Sequence, residues 1–128
     1  MTNHDTLRPL GWNEPVADVV APLLTDDHLE PGRIVRVDRG EVDVAVGVGP
    51  DNVIRATNTT SSKDCVAGDW VVLDRAQARV EAVAPRLTAF TRRSARGARV
   101  AQTLAANMDV VLVVQGLDPG VNVRRLER

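Results

Sequence analysis

The stretch from residue 32 to residue 84 constrains the fold most, because it reads as one short β-run after another, each closed by a turn signal. The clearest run is 41–46 (EVDVAV). Val42, Val44 and Val46 fall on one side and Glu41, Asp43 and Ala45 on the other, which is the period of a half-buried strand. Residues 32–38 alternate more loosely, with Val35 and Val37 facing one way and Arg36 the other. Residues 53–56 form a third run. Residues 68–74 give a fourth around Trp70, Val71, Val72 and Leu73. Residues 78–84 give a fifth, with Val80 and Ala82 opposite Arg79 and Glu81, and Pro85 ends it. Arg39-Gly40 suits a two-residue turn. Gly49-Pro50-Asp51-Asn52 suits another, since Gly and Asn tolerate positive φ and Pro presets its own. Residues 57–63 (TNTTSSK) are a polar loop. Five short strands in about 55 residues point to a small closed or nearly closed barrel, because closure removes exposed sheet edges. OB-type and SH3-like barrels both fit that strand count.

The flanks have a different texture. In residues 1–31, Val16, Val19, Val20, Leu23 and Leu24 follow a helical spacing that Pro22 interrupts, so an irregular arm with a short or broken helix is expected. Glu30-Pro31-Gly32 punctuates the chain before the first strand. Residues 86–107 read as a basic linker, with two helical turns expected over 100–107 (VAQTLAAN). Residues 108–115 (MDVVLVVQ) are a near-continuous apolar run, the pattern of a strand buried on both faces of a parallel sheet. Asn122 is a candidate N-cap for a helix over the last residues. A buried-type strand and a helix start read as the opening of an α/β domain, so a C-terminal stub of a truncated domain is expected over 108–128.

Composition excludes more than it assigns. Sixteen basic residues against seventeen acidic leave a net charge of −1, so global charge names no partner. Its distribution is uneven. Asp5, Glu14, Asp18, Asp26, Asp27 and Glu30 face only Arg8 in the arm, whereas residues 86–99 carry Arg86, Arg92, Arg93, Arg96 and Arg99 and no acid. Cys65 is the single cysteine, which rules out an intrachain disulfide, and with His4 and His28 it makes no zinc spacing. No base stands beside it to activate the thiol. Nothing resembles a signal peptide, and the longest apolar run is too short to span a bilayer, so a soluble cytoplasmic protein without membrane contact is expected. No nucleophile–base pair or metal cluster suggests an enzyme in this chain.

Several stretches together resemble a known family. They are Leu10-Gly11-Trp12-Asn13, PGRIVRVDRG at 31–40, AGDWVVLD at 67–74, VEAVAPRLTAFTRR at 80–93 and AANMDVVLVVQGLDPGVNVRRLER at 105–128. In this order they resemble the N-terminal part of the small ribosomal subunit biogenesis GTPases, the RsgA family. The resemblance implies a mainly β chain: a five-stranded OB-fold barrel over 32–85, with the N-terminal arm before it and the first strand of a circularly permuted GTPase domain after it. It further implies docking on 16S rRNA of the 30S ribosomal subunit, late in that subunit's maturation. GTP, magnesium and zinc are implied only for the longer parent. This chain has no G-x-x-x-x-G-K-[ST] loop, no guanine-reading N/T-K-x-D motif and no Cys/His cluster, so no cofactor-binding residue is carried onto it.

The candidate RNA contacts are arginines, whose planar fork can donate two hydrogen bonds to one phosphate. Arg92, Arg93, Arg96 and Arg99 head the group; the bland alternative is a solvated hinge. Arg36 and Arg39, with Arg33 and Arg55, lie on the first strands and their turns. Arg75 falls in a later loop and Lys63 in the polar one. Glu41 and Asp43 share an outward face near them and would repel phosphate. Trp12 and Trp70 could stack on bases, but with so few aromatics they read as packing anchors. Contact with the chain's own GTPase domain, as a regulatory lid, is the competing expectation.

Overall fold

The computed structural model describes residues 4–59, 64–93 and 101–117. A 3-10 turn, His4–Leu10, opens the arm. Helix α1 (Glu14–Val20) follows, capped by the Asn13 side chain, which accepts from the Val16 amide at 3.1 Å. It gives way to a 3-10 turn, Ala21–Leu23, where Pro22 removes the donor a longer helix would need. The short, broken helix read from the sequence is therefore present.

Five strands follow: β1 (Leu29–Val37), β2 (Glu41–Ala45), β3 (Val53–Asn58), β4 (Trp70–Asp74) and β5 (Arg79–Val83). They close in the order β1-β2-β3-β5-β4, with β4 returning to β1. All pairings are antiparallel except β3 with β5, a short parallel seam of Thr57 and Asn58 against Arg79 and Val80. This is a mainly β chain with an OB-like ring, as expected. Strand β1 starts before Gly32, because Leu29 to Arg33 pair with Asp74 to Trp70. A bulge between Ile34 and Arg36 leaves Val35 half-exposed, so the loose alternation read there becomes Ile34 inward and Arg36 outward.

Strand β4 is buried along its whole length because it is packed on both faces. Val71 and Leu73 join Ile34, Val42, Val44, Ala56 and Val80 inside the ring. Trp70 and Val72 face outward, under Leu7, Val16 and Val20 of the arm. Trp12 meets Trp70 edge-on with ring centroids 5.3 Å apart. Both tryptophans are thus packing residues.

Cys65 is 6% exposed and belongs to the barrel core. Burial, and then the charge of Asp69, push its thiol from an ordinary 9.0 up to about 11. Between these values the folded chain keeps a proton that the unfolded chain releases, so stability falls as pH rises from about 9 to about 11. The loss expected is on the order of 2 kcal/mol, read from urea unfolding across that range. Iodoacetamide at pH 8 should label Cys65 only when the chain unfolds.

Two further strands, β6 (Ala89–Arg93) and β7 (Ala101–Ala106), form an antiparallel ribbon. This corrects the sequence reading of residues 86–107 as a linker with helical turns near its end. Ala and Leu favour helix, but intrinsic propensity is a weak determinant, and here cross-strand pairing overrides it. Residues 108–117 form neither strand nor helix, so the buried-type strand expected at 108–115 is not formed. Leu112 and Val114 are 85% and 92% exposed. The expected helix start at Asn122 lies outside the described residues. No helix among the described residues is long and apolar enough to cross a membrane.

Candidate nucleic-acid interface

The ribbon is fastened to the barrel at one point, built by residues far apart in sequence. Gly68 takes φ +95°, and the carbonyl of Ala106 lies where a side chain would begin. The Ala106 amide ties the base of the ribbon to the barrel, donating to the Ala67 carbonyl at 3.0 Å, and the Asn107 amide extends the ribbon's own ladder by donating to the Thr88 carbonyl at 2.8 Å. The Asn107 side chain donates to the Gly68 carbonyl at 2.9 Å and accepts from the Leu87 amide at 2.9 Å.

Arg33 closes this arrangement. Its guanidinium donates to the carbonyls of Gly68 and Asn107 at 3.1 and 2.7 Å, and also to that of Leu10 in the arm. It lies over the Trp70 ring, 5.4 Å from the centroid. Burial pulls its pKa below the ordinary value, and the nearby Asp109 charge opposes that shift. Beneath it, Asp69 is fully buried. Its carboxylate accepts from Arg86 at 2.8 and 2.9 Å and from the Val66 amide at 2.8 Å. The Asp69 hydrogen bond raises the Arg86 pKa. Arm, barrel and ribbon are held together by these bonds.

The arginines proposed from sequence divide by their partners. Arg33 and Arg86 are engaged in the clamp. Arg55 sits among Glu41, Asp38 and Asp43, at 2.8, 3.0 and 3.1 Å. Hydrogen bonds to Glu41, then Asp38 and Asp43, raise its pKa. Arg36 also reaches Asp38, at 3.5 Å. The outer face of β1 to β3 is therefore balanced by its own carboxylates. Arg75 pairs with Glu30 at 2.7 Å. Arg39 is exposed in the β1–β2 turn and forms no ion pair among the described residues.

Arg92 and Arg93 differ in kind. Both are exposed on β6. Arg92 donates to the Gln102 side chain at 3.2 Å, a neutral partner, and Arg93 has no carboxylate against it among the described residues. No acidic residue occurs in either strand of the ribbon or between them. Arg96, Arg99 and Lys63 lie outside the described residues. Sequence reasoning located this basic run but missed the clamp. Its signal is the set of short runs around Gly11, Arg33, Gly68-Asp69, Arg86 and Asn107, which lie within the stretches singled out above.

The fold and this surface define a class: an OB-like barrel with a basic β-ribbon fastened to its side. No family model matches the chain. It is 37% identical to the small ribosomal subunit biogenesis GTPase RsgA of Streptomyces coelicolor, over 99% of this chain and 36% of that protein. It is 34% identical to the protein of that name from Opitutus terrae, over 96% of this chain and 38% of that one. For Leptospira interrogans the figures are 33%, 98% and 36%. The chain spans little more than a third of the length of these relatives, and the matches are consistent with an N-terminal fragment of a small ribosomal subunit biogenesis GTPase.

Proposed function

We propose that this chain is the rRNA-docking module of a GTPase that assists late maturation of the small ribosomal subunit. The observation that carries this reading is the ribbon: a basic pair of strands without acidic residues, hydrogen-bonded to the barrel through Arg33, Gly68 and Asn107. Hydrogen bonds from Arg92, Arg93, Arg96 and Arg99 to phosphate oxygens would position the module without reading sequence. The partners are then 16S rRNA and the 30S subunit, in the cytoplasm. GTP binding and hydrolysis, with magnesium and zinc, are assigned to the rest of the longer parent, and no catalytic role to this chain. Arg36 and Arg75 become secondary contacts, because each already faces a carboxylate, while Arg39 and Lys63 stay with the ribbon arginines as contacts to phosphate.

A second reading has its own support. The exposed apolar residues Val110, Leu112 and Val114 suit a protein surface, as expected of a lid on the chain's own GTPase domain.

Binding to isolated 30S subunits across a salt series separates the two. Docking through phosphate gives an affinity whose logarithm falls linearly with the logarithm of salt. Changing Arg92, Arg93, Arg96 and Arg99 to Ala reduces that slope by about 0.7 to 0.9 for each phosphate no longer neutralised. The four changes together should weaken binding about 100-fold or more at low salt. Equal binding by the parent and the variant would overturn the docking reading. Absent RNA binding with tight binding of a separately made GTPase domain would establish the lid.

A further inference from the structure

The ribbon also carries an exposed aromatic ring. Phe90 is 43% exposed, whereas Trp70 is buried and Trp12 half-buried. Period-two alternation puts Phe90 and Arg92 on one face of β6. Across the ribbon, Phe90 faces Ala105, too small to cover a ring, and Arg92 faces Gln102. The irregularity between Phe90 and Thr91 leaves Leu104 as the extra residue on β7, itself 39% exposed. One face of the ribbon therefore presents an open ring and a flanking aliphatic side chain. A guanidinium and a carboxamide lie one strand repeat away. An apolar floor beside an uncompensated cation fits a base attached to its phosphate. Neither a continuous duplex, whose bases are stacked inside, nor an acidic peptide without a flat π-face matches both halves.

We propose that the Phe90 face of the ribbon is a stacking platform for one unpaired RNA nucleotide. The base lies on the Phe90 ring against Leu104, and the adjoining phosphate on Arg92. This rests on the reading of the ribbon as the RNA-docking element and specifies what that element takes: an unstacked nucleotide in a loop, bulge or displaced strand. Gln102, held by Arg92, is placed to meet the edge of the sugar or base.

The test uses the full chain and a short single-stranded RNA with one fluorescent purine analogue, beside the same RNA annealed to its complement. Stacking on the ring quenches the analogue further in the single strand, whereas in the duplex, where the analogue is already stacked, adding the chain leaves its fluorescence unchanged. Phe90→Ala should abolish the quench and lower affinity about tenfold or more. Phe90→Trp should preserve both, and Phe90→Leu, which keeps apolar area but no π-face, should behave like Phe90→Ala. Thermal melting of each variant checks that the fold is kept. A Phe90→Leu chain that binds and quenches like the parent would overturn the platform. So would a Phe90→Ala chain that binds RNA normally but loses affinity for a separately made GTPase domain, which would assign the ring to a protein interface. If changing Arg92, Arg93, Arg96 and Arg99 to Ala together leaves RNA binding intact, the docking reading itself fails, an outcome distinct from normal binding by the Phe90 variants alone.

Discussion

Gly68→Ala should destabilise the chain by about 3 kcal/mol or more, combining strain at positive φ with overpacking. The new Cβ would lie 2.0 Å from the Ala106 carbonyl oxygen, a backbone atom that no rotamer change can move, at a residue with φ +95°. Either the ribbon lifts off the barrel or the loop before β4 rebuilds. Urea unfolding measures the total, and amide exchange at Ala106, whose N–H bonds the Ala67 carbonyl, tells whether the ribbon leaves first. Gly40→Ala is the control. Gly40 has φ +74° but nothing within 4 Å of an added Cβ, so only the conformational strain applies, about 1 kcal/mol. Equal effects at the two positions would show that Gly68 does not hold the ribbon close.

Asp69→Ala is expected to cost about 3 kcal/mol, at the lower end for a broken buried pair because Arg86 keeps partial access to water. The change removes the acceptor of two Arg86 hydrogen bonds and strands the Val66 amide. Adding Arg86→Met to Asp69→Ala should recover part of the loss, since the uncompensated charge then disappears. Chemical denaturation of the two single variants and the double variant gives the coupling. Strict additivity would mean that the pair contributes nothing as a pair.

Much of the barrel was legible in the residues. The alternation of 41–46 is β2, and the unbroken apolar run Trp70 to Leu73 is the strand packed on both faces. Where the reading failed, the cause was non-local. Strand β7 looks helical because Ala and Leu dominate it, and only its partner β6 makes it extended. The bulge at Val35 turns an alternation that the residues show only loosely, with Val35 and Val37 on one side, into Ile34 inward and Arg36 outward. The basic ribbon was visible as a run of arginines. Which arginines already have partners was not, because Arg33 reaches Asn107 and Arg86 reaches Asp69 across 74 and 17 positions of chain, with whole strands between them. A charge count sees those two as equivalent to Arg92 and Arg93, whereas their hydrogen-bond partners separate them.

Arg33 and Asn107 stand 74 positions apart. While the polypeptide is being synthesised, the guanidinium has its barrel acceptor at Gly68 long before its acceptor at Asn107 exists. All five barrel strands precede Pro85, so the ring can close with the ribbon absent. The ribbon can then be laid onto a finished surface, and its bond to Arg33 forms only when Asn107 arrives. Order of emergence thereby separates two events: the strands of the barrel are complete first, and the element that we propose meets RNA receives its last anchor afterwards.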